Sequence, residues 1–345
     1  MSTISDVAKL AGVSTMTVSR VINNSGYISQ AARERVERAV EQLGYVPNAL
    51  ARGLRFKQTK TIALILTDIT NPFFTTVARG VEDAASEQGF NVIFCNTDED
   101  EGDESEYLNM LLQKQVDGIL LVPARCSSES ISLLQSRSVP VVVLDRRVPG
   151  VQVDTVRGDS EEGAYQLVCY LLGLGHRRIA VLSGPRSVST ATDRVAGYRR
   201  AMAEAGVRVD ESMVHHDAFS QEAGYRMAKQ ALAAGPHPTA LFAGNNFIAA
   251  GTFRALQEAG LKVPEDVSLV AFDDLAQSLA MEPFLTVAAQ PAYEMGRRAT
   301  ELLLDRLAGE APAECREIVL PVTLVVRRSG APPPVQSAEC IVQRT

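Results

Sequence analysis

The sequence predicts an α/β protein: a small all-helical unit at the N-terminus, followed by two doubly wound lobes that are each built on a parallel sheet. Two observations predict this organisation. Before residue 46, apolar residues recur at the spacing of amphipathic helices. From residue 61 onward, continuous apolar runs alternate with helical segments, which is typical of parallel strands covered on both faces. Because this alternation restarts near residue 160, we expect two lobes.

Capping signals and a glycine turn predict the first two helices. Thr3 and Asp6 have the spacing of a capping box, which marks a helix N-terminus. Gly12 fits the left-handed position that ends this helix, and Ser14 caps the second one. Two short helices around a tight turn form a helix-turn-helix. We expect them to share a core of seven apolar residues: Val7, Ala8, Leu10, Val13, Val18, Val21 and Ile22.

A third helix and a short helical linker complete the N-terminal part. The third helix is expected from Ser29, its N-cap, to Leu43, with Gly44 ending it. Residues 47–60 connect this part to the rest of the chain, and the family resemblance described below implies a helix of about eight residues and a linker there. Since isolated helices of that length are marginal in water, we expect this one to be ordered only when a partner holds it.

Strands and helices alternate through the rest of the chain. The first lobe is predicted to contain strands at 62–66, 91–95, 118–122 and 139–144, with helices at 74–88, 104–114 and near Ser130. The second is predicted to contain strands at 179–182, 240–242 and 268–272, with helices at 161–172, 194–205 and 221–233. The tail, residues 329–345, is proline-rich and has no heptad repeat, so we expect it to be disordered and to lack a tetramer-forming coiled coil.

The net charge of -7 is divided unevenly along the chain. Residues 1–60 contain nine Lys and Arg against four Asp and Glu, a balance of +5, so the remainder carries -12. A basic end on an acidic body concentrates the attraction for phosphate at that end. The N-terminal unit is therefore predicted to bind nucleic acid.

Several classes of protein are disfavoured by the sequence. It begins without the features of a signal peptide, and no apolar run approaches a membrane span. The five cysteines are scattered and the four histidines lack metal-binding spacing, so we expect reduced thiols, a cytoplasmic, nucleoid-associated location and no metal or cofactor. Gly173 and Gly175 follow a predicted helix rather than a strand, and neither a P-loop nor a nucleophile elbow occurs, which argues against an enzyme and leaves no candidate catalytic residue.

Residues 3–23 and 48–55 resemble the DNA-binding headpiece and hinge helix of the lactose-repressor/galactose-repressor (LacI/GalR) family of bacterial transcription regulators. The resemblance extends over the core to about Arg328, and it implies a clamshell similar to that of periplasmic binding proteins. It also implies that the chain crosses between the lobes near residues 159, 289 and 319. The implied domains are a helix-turn-helix headpiece at 1–46, a hinge helix and linker at 47–60, an N-lobe at 61–159 plus 290–318, and a C-lobe at 160–289 plus 319–328.

The resemblance further implies a DNA site and a homodimer. Thr15, Met16 and Arg20 would face base edges in the major groove, with Arg20 the best candidate for a guanine contact and Met16 contacting a thymine methyl or no base at all. In the hinge helix, Leu54 would wedge into a base step of the minor groove, next to Arg55. The two headpieces of a dimer would read a pseudo-palindromic operator. Four more residues would contact phosphates: Ser14, Thr17, Ser19 and Asn23.

The ends of the predicted strands form a candidate effector site, because open α/β sheets bind ligands beyond the carboxyl ends of their strands. Aromatic faces combined with Asp, Arg, Asn and Gln suit a small polyol, and the same set resembles that of ribose-binding members of the clamshell superfamily. The sequence is therefore interpreted as a repressor under allosteric control by a small sugar, ribose or a related pentose. The ten candidate residues are Asn71, Phe73, Phe74, Asp145, Arg146, Arg194, Phe219, Asn245, Asp273 and Gln290.

Alternatives stay open at this point. A purine corepressor is the main rival ligand, although the purine-type repressor has an arginine where this chain has Val188. A sugar-active enzyme is a remote alternative. The family usually has aspartate after Asn245, whereas this chain has Asn246, which alters either the ligand or only a local cap. The sequence does not decide whether the ligand releases or promotes DNA binding.

Overall fold

The computed structural model of the protein describes residues 2–22, 24–45, 58–274 and 283–334. The chain divides into two compact units, one formed by residues 1–59 and the other by residues 60–345. The first unit is all-helical, and the second contains two sheets with helices on their faces.

Three helices form the N-terminal unit: α1 (Ile4–Ala11), α2 (Thr15–Ile22) and α3 (Gln30–Leu43). The predicted capping box is confirmed, since the Asp6 N–H donates to Thr3 Oγ1 (3.3 Å) and the Thr3 N–H donates to Asp6 Oδ2 (2.8 Å). Gly12 and Gly44 end α1 and α3 in the left-handed conformation, with φ of 62° and 53°. At these two φ values a side chain would be strained, so glycine is the favoured residue.

The core of this unit differs from the expectation at one position. Leu10 is 51% exposed. The inward face of α1 is occupied by other residues, and helical spacing puts Leu10 outside that face. Ser29 precedes α3 as expected, but its side chain makes no capping hydrogen bond. The buried core draws on all three helices: Val7, Ala8, Ala11, Val18, Val21, Val36 and Ala39.

The N-lobe is a parallel sheet of six strands with helices on both faces. The strands are β1 (Thr61–Leu66), β2 (Asn91–Asn96), β3 (Gly118–Leu121), β4 (Val141–Leu144), β5 (Asp154–Gly158) and β11 (Glu317–Leu320), in the spatial order β11-β5-β4-β3-β1-β2. Alternate residues of β1 enter separate cores, one with Leu64 and the other with Ile65. The helices are α4 (Pro72–Glu87), α5 (Glu101–Gln113), α6 (Glu129–Ser136) and α11 (Ala292–Ala308).

The C-lobe repeats this plan with a second sheet of six strands. Its strands are β6 (Ile179–Ser183), β7 (Val214–His216), β8 (Ala240–Ala243), β9 (Ser268–Phe272), β10 (Thr286–Ala289) and β12 (Thr323–Val325), in the order β12-β10-β9-β8-β6-β7. Only the pairing of β12 with β10 is antiparallel among the strands described. The helices are α7 (Ser160–Gly173), α8 (Ser189–Glu204), α9 (Gln221–Ala233) and α10 (Asn246–Glu258). In the described ranges, no helix is long and apolar enough to cross a membrane.

The chain passes between the two sheets after β5, after β10 and after β11. The third passage lies later than expected. Leu320 pairs with Gly158, the last residue of β5, so β11 follows its neighbour to the end. Val319 and Leu320 therefore belong to the N-lobe sheet, and the expected C-lobe segment 319–328 begins two residues too early.

The expectation of a disordered tail from residue 329 is wrong for residues 329–334. Ser329 is fully buried against the C-lobe, where its Oγ donates to the Leu269 carbonyl (2.5 Å) and accepts from the Thr286 N–H (2.8 Å). These are tertiary hydrogen bonds, which a proline-rich composition does not reveal. Residues 335–345 lie outside the described residues.

Candidate functional site

Helix α2 presents the residues expected to read DNA. Thr15, Met16 and Arg20 are exposed, with Met16 57% accessible. Ser14 and Thr17 are coupled at the start of the helix, since Ser14 Oγ accepts from the Thr17 N–H (3.1 Å) and hydrogen bonds to Thr17 Oγ1 (2.9 Å). The Ser14 hydroxyl therefore caps the helix, and the Thr17 hydroxyl bonds to that cap. Ser19 is half-buried on α2, and three other candidates lie outside the described residues: Asn23, Leu54 and Arg55.

One cavity of the second unit brings together all ten candidate effector residues. The N-lobe contributes the first turn of α4 and the beginning of the loop that follows β4. The C-lobe contributes residues of α8 and the residues that follow β8 and β9. Three further side chains line the same cavity and were not singled out from the sequence: Asp68, Glu99 and Thr190.

A buried arginine organises the N-lobe wall of the cavity. Arg146 is 2% exposed, and its two terminal nitrogens donate to both carboxylate oxygens of Glu99, at 2.6 and 2.5 Å. It also donates to the carbonyls of Pro123 (2.7 Å) and Ala124 (2.9 Å). These bonds fix the guanidinium group, and the side chain of Asp145 lies beside it at 3.9 Å from Nε.

A second buried arginine organises the C-lobe wall. Arg194 donates to the Gly244 carbonyl (2.6 Å), and its guanidinium carbon lies 3.8 Å from the centre of the Phe272 ring. Its Nη2 is 4.0 Å from Asp273 Oδ2. Gln290 donates to both carboxylate oxygens of Asp273, at 3.1 Å each. The Asp273 carboxylate is thereby held from two sides.

Two of the four carboxylates that line the cavity stand on unusual backbone. Asp145 and Asp273 have φ of 64° and 61°, a left-handed conformation that non-glycine residues adopt infrequently. The N–H of each still bonds to the adjacent strand, with Asp145 donating to Val156 and Asp273 to Ala288, both at 2.9 Å. Each strand therefore ends in an abrupt turn at a residue whose carboxylate lines the cavity, the kind of strained position that often marks a functional site.

Burial dominates the electrostatics of the cavity. It raises the pKa of Asp273 to about 6, although Arg194 lowers it and Asp145 adds to the rise. Burial also raises the pKa of Asp145, against the neighbouring Arg194 and Arg146. The pKa of Arg194 is lowered by burial, with the nearby carboxylates acting in the opposite direction. Hydroxyl groups that donate to these carboxylates would favour their ionised forms.

Aromatic rings supply the apolar part of the lining. Phe73 and Phe74, in the first turn of α4, contact each other edge to face with 5.0 Å between ring centres. Phe219 lies on the C-lobe side against Gly184, where an added Cβ would be 2.2 Å from the ring. The absence of a side chain at Gly184 thus makes room for the Phe219 ring.

Four buried polar atoms of the cavity residues have no hydrogen-bond partner among the described residues. They are Asp145 Oδ1, Arg146 Nε, Arg194 Nε and Gln290 Oε1. Leaving such groups unpaired is costly. Gln290 Oε1 is turned toward Gly158, where an added Cβ would be 2.2 Å from it. Within the described ranges, no cluster of His, Cys, Asp and Glu could hold a metal ion.

The three lining residues that were not singled out from the sequence lie at the same kinds of position as the predicted ones. Asp68 follows β1 and Glu99 follows β2, so both lie beyond strand carboxyl ends. Thr190 precedes Arg194 by one helical turn on α8 and lines the same side. Asn71 lines the cavity as expected, but its amide also contacts Asn246 of the opposite lobe.

Sequence comparisons agree with this architecture. Residues 3–48 match the lacI family of bacterial regulatory proteins, and residues 59–327 match the periplasmic binding proteins and sugar binding domain of the LacI family. The chain is 40% identical to the HTH-type transcriptional regulator DegA of Bacillus subtilis (strain 168) over 334 residues, 96% of this chain and 98% of that protein. It is 38% identical to the HTH-type transcriptional repressor PurR of Vibrio atlanticus (strain LGP32) over 308 residues, 89% and 92% of the two chains.

Three solved structures are similar over most of their length. The lac repressor dimer bound to operator and the anti-inducer ONPF has a TM-score of 0.84 at 28% identity, covering 96% of this chain and 99% of that one. The regulator CelR in complex with cellobiose has a TM-score of 0.73 at 35% identity, covering 96% and 100%. A LacI family regulator from Enterococcus faecium with bound ribose has a TM-score of 0.70 at 35% identity, covering 79% and 99%.

These relatives and structural neighbours are regulators rather than enzymes. The N-terminal match gives the DNA-binding part, and the match over the two lobes gives the sugar-binding part. The chain therefore belongs to the LacI family and is a DNA-binding transcriptional regulator with that family's sugar-binding domain.

Proposed function

We propose that the protein is a homodimeric repressor whose affinity for operator DNA is set by a small sugar, ribose or a related pentose, bound in the cavity between the lobes. The lining of the cavity carries this proposal, because it sets the carboxylates of Asp145 and Asp273 and buried guanidinium groups beside aromatic rings. A sugar presents hydroxyls that both donate and accept, together with an apolar ring face. Phe73, Phe74 and Phe219 would cover that face.

Contacts from both lobes would couple the sugar to DNA binding. Asp145 and Arg146 belong to the N-lobe, whereas Arg194 and Asp273 belong to the C-lobe. One small ligand can contact all four only when the lobes are closed. A ligand shifts such an equilibrium by the difference in its affinity for the two states, and contacts from both lobes supply that difference.

A purine is the second candidate effector, and the relatives named PurR favour it. Against it stand the buried carboxylates of Asp145 and Asp273, which suit adjacent hydroxyls better than a heteroaromatic ring. Val188, at the position where the purine-type repressor has an arginine, is buried at the start of α8 and supplies no donor from its side chain. The neighbour with bound ribose favours the sugar, and the neighbour in complex with cellobiose shows that sugars of different size occur among similar proteins.

In the headpiece, we propose that Thr15, Met16 and Arg20 read base edges. The exposure of all three on α2 supports this role, and the lac repressor dimer bound to operator supplies the arrangement by similarity. Leu54 would act as the minor-groove wedge. One headpiece of each protomer would read one half of a pseudo-palindromic site.

Calorimetric titration of the full chain with ribose, other pentoses, hexoses, hypoxanthine and guanine tests the effector. Each compound that binds is then added to the protein on an operator selected from random DNA. We expect ribose or a related pentose to bind and to change operator affinity. Binding of a purine and of no sugar would contradict the effector assignment and leave the regulator intact.

Asp273→Ala gives the matching genetic test. It removes the partner of Gln290 and the carboxylate nearest to Arg194, so we expect a loss of about 2–4 kcal/mol in effector binding. Operator affinity without ligand should stay near that of the wild type. Asp210→Asn is the control, because it alters an exposed carboxylate of the C-lobe whose bonds are to Ser212. Equal effects of the two variants on effector binding would contradict the assignment of Asp273 to the effector site.

A further inference from the structure

Two buried asparagines join the lobes beside the cavity. Asn71 is the N-cap of α4 in the N-lobe, and Asn246 is the first residue of α10 in the C-lobe. Asn71 Nδ2 donates to Asn246 Oδ1 (3.1 Å), and Asn246 Nδ2 donates to Asn71 Oδ1 (2.9 Å). Asn246 is fully buried and Asn71 is 6% exposed. The contact is thus a reciprocal amide pair across the cleft, shielded from water.

Backbone partners fix the orientation of both amides. Asn71 Oδ1 accepts from the Phe73 N–H (3.0 Å) and Asn246 Oδ1 accepts from the Phe247 N–H (2.8 Å). Asn246 Nδ2 donates to the Asp274 carbonyl (3.0 Å). Rotating either amide by 180° would set its nitrogen against a backbone N–H. The two amides can therefore hydrogen bond to each other only in the orientations observed.

This geometry requires an amide at position 246. A carboxylate of the same shape could accept from Asn71 Nδ2 and from the Phe247 N–H. It could not donate to Asn71 Oδ1 or to the Asp274 carbonyl, and it would place an anion against both oxygens. Asparagine at this position in place of the family's usual aspartate is thus matched to Asn71 across the cleft.

We propose that Asn246 is a positioning residue of the effector response, which acts through Asn71 to stabilise the closed cleft. The pair exists only when the lobes meet, so its free energy counts toward the closed state alone. The part of this inference that concerns effector affinity rests on the proposed function. The part that concerns closure does not, and the two are tested separately.

The test uses Asn246→Asp in the full chain, with Asn109→Asp as the matched control. Asn109 is exposed on α5 and bonds to the Ser105 carbonyl of the same helix, so the control makes the same chemical change away from the cleft. Small-angle X-ray scattering of the ligand-free proteins reports the opening of the lobes. One lost hydrogen bond across the cleft, with an anion set against Asn71 Oδ1, corresponds to a roughly tenfold fall in the closed-to-open ratio. We therefore expect a larger radius of gyration for Asn246→Asp and not for Asn109→Asp.

Titration with ribose distinguishes a positioning role of Asn246 from damage to the fold of the variant. The apparent Kd of Asn246→Asp should rise by up to roughly tenfold, since the binding-competent fraction falls. At saturating ribose its scattering curve should return to that of the wild type, which a damaged lobe would not do. Asn71→Asp, which loses the Asn71 amide donor, provides a second variant should the first fail to fold.

Ligand-free scattering that is identical for wild type, Asn246→Asp and Asn71→Asp would overturn the proposal, as would an expansion shared by Asn109→Asp. Failure of ribose to bind the wild type would contradict the proposed effector instead. In that case the scattering comparison without ligand still decides whether the amide pair closes the cleft.

Discussion

Asp273 links effector binding to pH at the scale of one residue. Burial raises its pKa to about 6, and the facing groups are Arg194, Asp145 and Gln290. Sugar hydroxyls that donate to the carboxylate favour its ionised form, so the bound pKa should be lower than the free one. Effector affinity should therefore be full above pH 6 and fall by up to about tenfold per pH unit below it.

Calorimetry at a series of pH values between 7.5 and 5 checks this expectation. Asp273→Asn removes the titrating group, so its weakened binding should lose the step near pH 6. Asp210→Asn should retain the step. A wild-type affinity that is flat through pH 6, or that rises as the pH falls, would contradict the proposed role of the carboxylate.

Most of the cavity could be predicted because ligand sites of open α/β sheets lie beyond strand ends, and the strands were evident as apolar runs. Asp68 and Glu99 satisfy the same rule, so they were within reach of the sequence. The left-handed backbone of Asp145 and Asp273 was not, because a positive φ at aspartate is imposed by tertiary contacts rather than by the residue. Nor could the match of Asn71 to Asn246 be foreseen, since the two are 175 positions apart.

At the scale of elements, α2 should decide which bases are read. A bidentate arginine contact with guanine is worth roughly 1–3 kcal/mol of discrimination. Arg20→Ala should therefore relax the preference at one base pair in each half-site, symmetrically about the centre. Binding-site selection with wild type and variant measures this directly. A loss of affinity that is spread evenly over all positions would reduce Arg20 to a phosphate contact.

The segment after β12 is held to the C-lobe by a buried histidine. His176 bonds to Thr239 Oγ1 (2.9 Å), Ser268 Oγ (3.1 Å) and the Ala331 carbonyl (2.8 Å). Burial lowers its pKa from 6.5, although the bond to Ala331 opposes this shift. The folded state therefore binds the proton less readily than the unfolded chain. Its contribution to stability is complete above pH 6.5 and decreases as the pH falls below that value.

We expect the free energy of unfolding of the wild type to fall between pH 7 and pH 5 by up to about 1.4 kcal/mol per pH unit for this histidine. His176→Gln should be less stable at pH 7 but should show a smaller dependence on pH. Part of the dependence should persist, because burial also lowers the pKa of His215 and His216. Urea denaturation at each pH provides the comparison, and equal slopes for the two proteins would contradict this account.

Five strands and two helices were not predicted from the sequence: β5, β7, β10, β11, β12, α10 and α11. Two of these strands have weak local signals. Strands β7 and β12 lie at sheet edges, are three residues long and contain partly exposed positions, so they lack the continuous apolar run of β6 or β9. Helix α8 begins at Ser189, five positions before the predicted start. The prediction missed the first turn because that turn is rich in Ser and Thr, which have low helix propensity. Tertiary packing, rather than local sequence, establishes these boundaries.

At the scale of the whole molecule, general attraction for DNA and preference for the operator are expected to have different sources. The balance of +5 in residues 1–60 against -12 elsewhere attracts phosphate whatever the base sequence. The wedge proposed for Leu54, which lies outside the described residues, would act only on a site whose central step can be unstacked. Leu54→Ala should therefore weaken operator binding by a few kcal/mol and leave non-specific binding nearly unchanged. Anisotropy titrations on operator and random duplexes measure the specific and the non-specific affinity. An equal loss of both in Leu54→Ala would contradict the proposed wedge.

Three passages of the chain between the sheets have a consequence for biosynthesis. The N-lobe core contains Met295 and Leu303 of α11, and β11 is one of the two edge strands of its sheet. Both elements are translated after nearly the whole C-lobe. Domains generally fold as units while the chain emerges from the ribosome. The N-lobe is begun before the C-lobe and completed late, so during most of synthesis α4 alone covers the face of its sheet that α4 and α11 share in the folded protein. A ribosome that stalls before residue 292 would thus display exposed apolar surface on the very lobe it had started with, and the nascent chain would need shielding until α11 arrives.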